Sequence, residues 1–70
     1  MQENQKPLVI LRRGQVEART GLSVSTIYRR IADGSFPAPI DLGGGRSVGW
    51  LEHEIEAFIA SRVEASRKTA

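Results

Sequence analysis

The chain contains no cysteine, a single histidine and only four aromatic residues, Tyr28, Phe36, Trp50 and Phe58. Without cysteine there is no disulfide staple, no thiolate ligand for zinc and no thiol nucleophile. The lone His53 has neither a second histidine nor HExxH spacing beside it, so the neighbouring Glu52, Glu54 and Glu56 are weak material for a metal site or an acid–base pair. Long apolar runs are also missing. The longest, Leu8-Val9-Ile10-Leu11, is far below the roughly 18 apolar residues of a membrane span, and it lacks the layout of a signal peptide. The only low-complexity stretch is the glycine triplet at 43–45, which lacks the spacing and the following Lys-Ser or Lys-Thr of a phosphate-cradling loop. These absences predict a soluble intracellular protein that is not an enzyme, with no catalytic residues, no cofactor and no metal.

What is present is a folding chain with an uneven charge distribution. At 70 residues it has room for one small domain, and 40% hydrophobic with 26% charged residues argues against wholesale disorder. The net charge is only +2, but up to Trp50 the chain places Lys6, Arg12, Arg13, Arg19, Arg29, Arg30 and Arg46 against Glu3, Glu17, Asp33 and Asp41. Acidic residues then cluster at Glu52, Glu54 and Glu56, and basic ones return at Arg62, Arg67 and Lys68. Two differently charged ends are expected.

Residues 1–7 are polar, aperiodic and end in proline, which predicts a flexible arm leading into a short extended piece at 8–11. "RGQVEART" reads as a first helix around one core position, Val16, closed by Gly21 in a left-handed cap. Leu22 turns inward and Ser23 is placed to cap a second helix. There Val24, Ile27, Tyr28 and Ile31 follow the i, i+3, i+4, i+7 spacing of a buried stripe, leaving Ser25, Thr26, Arg29, Arg30 and Asp33 on the remaining circumference. Gly34 ends this helix, and the prolines of "SFPAPI" impose an extended loop. "IDLGGGRSVGW" alternates on both sides of its glycines, which predicts a β-hairpin with the triplet at its tip. A third helix follows, with Leu51, Ile55, Phe58 and Ile59 on one face and carboxylates in its first turn. It is expected to fray after Arg62, leaving 64–70 as a tail. Ile27, Ile31, Val48, Trp50, Ile55 and Phe58 are expected to converge in the core, with Tyr28 packed there as well as Trp50.

Two short helices joined by a glycine turn, a hairpin and a packed third helix make a mainly α domain with a small β-hairpin: a winged helix-turn-helix spanning 8–63. In its three ordered segments, "TGLSVSTIYRRI", "GSFPAPI" and "SVGWLEHEIEAFI", the chain closely resembles the AlpA family of small phage-type transcriptional regulators. That family is related in fold to excisionases and to the DNA-binding domain of MerR-type regulators. The resemblance runs from about residue 11 to 62. It implies a cytoplasmic prophage-type regulator of transcription whose partner is double-stranded DNA.

The residues supply a mechanism for such a role. The second helix, 23–33, fits a major groove, and Ser23, Ser25, Thr26, Arg29 and Arg30 are its candidate contacts. Arg29, near the middle of the outward arc, is expected at a base edge, and Arg30, nearer the arc's border, at a phosphate. Arg46 beside the glycine tip is placed for a minor groove or a phosphate, and Arg12, Arg13 and Arg19 around the first helix for further phosphates. Two alternatives stay open: an excisionase-like factor that bends DNA, and a protein-binding antirepressor. Homodimerisation, or cooperative binding to repeated sites, is compatible with one module gripping few base pairs, although the sequence contains no dedicated zipper.

Overall fold

Six elements follow one another in the computed structural model, which describes residues 7–68: β1 (Ile10–Leu11), α1 (Arg13–Thr20), α2 (Val24–Ala32), β2 (Ile40–Asp41), β3 (Val48–Leu51) and α3 (Glu52–Lys68). The flexible arm expected at 1–7 lies, except for Pro7, outside the described residues. The three strands form one antiparallel sheet in the order β1-β3-β2. The hairpin predicted from the glycine triplet is β2–β3, in the register Ile40 to Gly49 and Asp41 to Val48. The extended piece before α1 does more than lead in: it adds a third strand, pairing Ile10 with Leu51 and Leu11 with Trp50.

Gly49 is the residue that permits this closeness. A β-carbon there would collide with Ile10 Cγ2 and stand 3.1 Å from the Leu11 carbonyl oxygen, so β1 could not lie against β3 unchanged. Directly paired residues share a face. Ile40 therefore sits on the Gly49 side, and the alternation of Ile40 and Leu42 in β2 does not join that of Val48 and Trp50 on the core side.

The core gathers Leu11 from β1, Val16 from α1, Ile27 from α2, Phe36 from the proline loop, Trp50 from β3 and Ile55 from α3. Leu22, Ile31, Val48, Phe58 and Ile59 pack around them and stay partly exposed. Three of the six expected core residues, Ile31, Val48 and Phe58, are thus rim rather than centre. Phe36 earns its buried place through a tilted contact with Phe58, ring centres 4.7 Å apart. Trp50 is fully buried; its indole N–H donates to the Pro37 carbonyl at 3.0 Å, and its ring meets Tyr28 edge-on at 6.4 Å. That bond ties the proline loop to the sheet. Tyr28 packs on the core as expected but keeps 39% of its surface exposed.

The third helix differs from its expected length. It continues through Lys68 instead of ending near Arg62, and Leu51 belongs to β3 rather than to its apolar face. Ala60, Arg62, Glu64, Ala65 and Arg67 are good helix formers, and Arg67 with Lys68 in the last turn suits the negative end of the helix dipole. Of the tail expected at 64–70, only the last two residues fall outside the described helix.

Candidate nucleic-acid interface

The turn between α1 and α2 is defined by named bonds. Gly21 adopts φ 74° and its N–H donates to the Glu17 carbonyl at 2.8 Å, ending α1 in the left-handed cap that favours glycine. The Thr20 hydroxyl donates to the Val16 carbonyl at 2.8 Å and accepts from the Leu22 N–H at 3.2 Å, which bends the chain so that Leu22 reaches the core. Ser23 then opens α2 as its N-cap: its hydroxyl oxygen accepts from the Thr26 N–H at 3.3 Å. The same hydroxyl donates to Thr26 Oγ1 at 3.0 Å and lies 3.4 Å from Ser25 Oγ. Three hydroxyls thus form one cluster over the first turn of α2.

No carboxylate occupies that first turn, nor the first turn of α1. The positive ends of both helix dipoles are left without a side-chain counter-charge, which favours an external anion. α3 is built the other way, with Glu52 and Glu54 in its first turn.

Five of the six candidate arginines fall into two groups. Arg12, Arg13 and Arg46 line one cleft of about 380 Å³ between the start of α1 and the wing, together with Gly14, Glu17 and Val48. Arg12 Nε donates to the Val48 carbonyl at 3.0 Å, so this side chain ties α1 to β3 and aims its outer nitrogens from a fixed stem. Gln15 holds the same residue from the backbone side, its amide oxygen accepting the Arg12 N–H at 2.8 Å. The wing tip is ordered by its own bonds: Asp41 Oδ1 accepts from the Gly43 N–H at 2.8 Å, and the Leu42 N–H donates to the Ser47 carbonyl at 2.8 Å. Gly43, Gly44 and Gly45 have φ of 88°, 77° and 91°, a run that only glycine adopts cheaply, and it leaves Arg46 exposed.

Arg19 and Arg30 belong to a different groove, lined also by Thr20, Leu22, Phe58, Ile59, Arg62 and Val63. Arg19 donates to Glu52 Oε2 at 2.8 Å, a bridge from α1 to α3 that partly occupies its guanidinium. Arg29 is exposed as expected, but Arg30 is not fully turned outward. It is half-buried, and its Nε is shielded from solvent without a hydrogen-bond partner. The cause is its position beside the α2–α3 groove, where the apolar floor covers the inner part of the side chain. Arg62 also lines this groove; it lies within the expected length of the third helix, but nothing local in the sequence shows that α3 turns it toward Arg19 and Arg30.

The end of α2 is closed by Asp33 and Gly34. The Gly34 N–H donates to the Ile31 carbonyl at 3.1 Å and the Ser35 N–H to the Arg30 carbonyl at 2.9 Å. Asp33 Oδ1 accepts from the Ser35 hydroxyl at 2.6 Å and from the Ser35 N–H at 3.0 Å. Chiefly the hydroxyl bond, then the backbone bond, hold its carboxyl below the ordinary aspartate value; desolvation opposes them, and the charges of Arg30 and Arg29 add to them.

Among the described residues, no group of three or more His, Cys, Asp or Glu is placed to hold a metal ion, and no helix is long and apolar enough to cross a membrane. The family profile described as "Prophage CP4-57 regulatory protein (AlpA)" matches residues 9–63. The chain is also similar to "Uncharacterized protein ORF88" of Enterobacteria phage P4, at 47% identity over 58 residues, which is 83% of this chain and 64% of that protein. No solved structure matches. The profile takes in β1, both helices of the turn, the wing and α3 as far as Val63; the chain belongs to the AlpA family of prophage regulatory proteins.

Proposed function

We propose that this protein regulates transcription by binding double-stranded DNA in a sequence-specific manner, with α2 in the major groove. The observation that carries the reading is the outward side of α2: an exposed Arg29 on a helix whose first turn holds three clustered hydroxyls and no carboxylate. Ser23, Ser25 and Thr26 suit phosphate or base-edge hydrogen bonds, and Arg29 suits a bidentate pair with guanine. Arg12, Arg13 and Arg46, sharing one cleft, suit a phosphate that passes between α1 and the wing. Arg30 contributes only through its outer nitrogens, at the backbone, and Arg19 is assigned the smallest part because Glu52 already engages it.

Nuclease footprinting on the DNA flanking the protein's own gene tests the reading, followed by anisotropy titrations of the protected duplex at several salt concentrations. Protection of a discrete site is expected. Arg29→Ala is expected to lose about 1–3 kcal/mol on that site and much less on scrambled duplex. Arg46→Ala is expected to weaken both alike and to make the salt slope shallower by about 0.9. Absence of any salt-sensitive association with duplex DNA would refute the proposal and favour a protein-binding antirepressor.

A further inference from the structure

The second half of α3 extends past the last core contact of this helix and presents a face that nothing in the described chain covers. Glu56, Ala60, Val63 and Arg67 are all exposed, Val63 by 43%. Their spacing, i, i+4, i+7, i+11, places them within an arc of about 60° on one side of an α-helix. Most of that arc lies away from Ile55, which faces the core, and Val63 at its edge also borders the groove that holds Arg19 and Arg30. Glu56 and Arg67, at its two ends, make no ion pair with any described residue. The face therefore has a negative end, a small apolar middle and a positive end.

We propose that this face pairs with the same face of a second copy, the two α3 helices running antiparallel about a two-fold axis between Ser61 and Arg62. In that arrangement positions that sum to the same number oppose one another. Glu56 meets Arg67 of the second copy, Ala60 meets its Val63, and each contact occurs twice, as an isologous interface requires. Ala60 leaves room for Val63 to sit close to the opposing backbone. A parallel pairing is disfavoured by the same residues, since it would set Glu56 on Glu56 and Arg67 on Arg67. The charges thus specify both the occupant and its direction.

The contact is confined to about three helical turns, short of the roughly 1,200 Å² at which stable interfaces begin. The dimer is accordingly weak in free solution, with a Kd on the order of 0.1–1 mM. Two copies held side by side on one nucleic acid would meet at a far higher effective concentration, where the same contact becomes cooperativity. The self-association itself does not rest on DNA binding.

Sedimentation equilibrium of the full chain up to about 1 mM tests it without DNA. The parent protein should show a monomer–dimer equilibrium. Glu56→Arg alone and Arg67→Glu alone should each weaken it about tenfold by opposing like charges at both ends. The double variant, and an equimolar mixture of the two single variants, should associate as the parent does, because each restores opposite charges across the two-fold axis. Far-UV circular dichroism of every variant verifies that α3 is retained. A parent that stays monomeric throughout, single variants of unchanged affinity, or a swap that fails to restore association in folded protein would each overturn the pairing. Duplex titrations of the same variants keep this outcome separate from the DNA-binding reading.

Discussion

The first turn of α2 and the first turn of α3 solve the same problem in opposite ways. Each helix begins with backbone N–H groups that lack intrahelical partners and with the positive end of a dipole. α3 answers with Glu52 and Glu54, a self-contained solution that leaves its start with no use for an outside anion. α2 answers with neutral hydroxyls alone, Ser23 capping the Thr26 N–H while Ser25 and Thr26 join the cluster. Its dipole stays uncompensated. A helix start that forgoes an available stabilising charge, on the side that also displays Arg29, is the arrangement expected where a phosphate backbone will supply the charge.

The largest effect follows from removing what both helix starts are built upon. Trp50 is buried from β3, touches Tyr28 of α2 and bonds the proline loop, while the strand it belongs to leads straight into α3. Trp50→Ala should cost about 3–5 kcal/mol, comparable to the whole margin of so small a domain. Urea unfolding followed by circular dichroism measures this. Both regions should be lost in one transition, and survival of a folded α1–α2 pair would show that the comparison concerns two independent units.

A charge exchange tests the comparison directly. Ser25→Glu places a carboxylate in the first turn of α2, copying the design of α3. Thermal unfolding should find the variant as stable as the parent or up to about 1 kcal/mol more so. Its affinity for duplex DNA should nevertheless fall tenfold or more, because in the proposed complex the new charge would face the phosphates. Glu54→Gln makes the converse change in α3: stability should drop by about 0.3–1 kcal/mol while DNA affinity holds. If Ser25→Glu bound DNA as well as the parent, the bare start of α2 would have no connection with a phosphate.

This opposition was legible in the sequence because it depends on local order along the chain. Ser23 before an apolar stripe, Gly21 behind a short helix and three glutamates after Trp50 all act within a turn of where they stand. Long-range relations were less accessible. Phe36 looks like a loop residue among prolines, and nothing local shows that the Pro37 carbonyl will receive the Trp50 indole and draw that loop onto the core. The extended character of 8–11 could be read locally, but its pairing as a third strand depends on the missing side chain of Gly49 some forty positions away. Arg30 was placed by helical angle alone, which gives its direction from the α2 axis but not the height of the neighbouring α3 wall. Arg12 shows the same boundary, since its value as a wing tether lies in a bond to Val48.

The smallest effect concerns the opposite end of α2, where the design reverses. A carboxylate does stand there, at Asp33, on the end where the dipole disfavours it, and Ser35 together with Arg29 and Arg30 makes the placement tolerable. Because these partners lower the carboxyl's folded value below its unfolded one, its stabilising contribution is complete above the ordinary aspartate range. It disappears as pH falls through the lowered folded value. The melting temperature of the parent relative to Asp33→Asn should therefore be constant above about pH 5 and should decline toward pH 3. The other acidic residues titrate in both proteins, so the difference between the two curves isolates this group. The site is fully exposed and the difference will be small, but its sign is determined: a parent that instead gained stability relative to Asp33→Asn as pH fell would mean that the dipole's repulsion outweighs Ser35, and that both ends of α2 lack effective charge compensation.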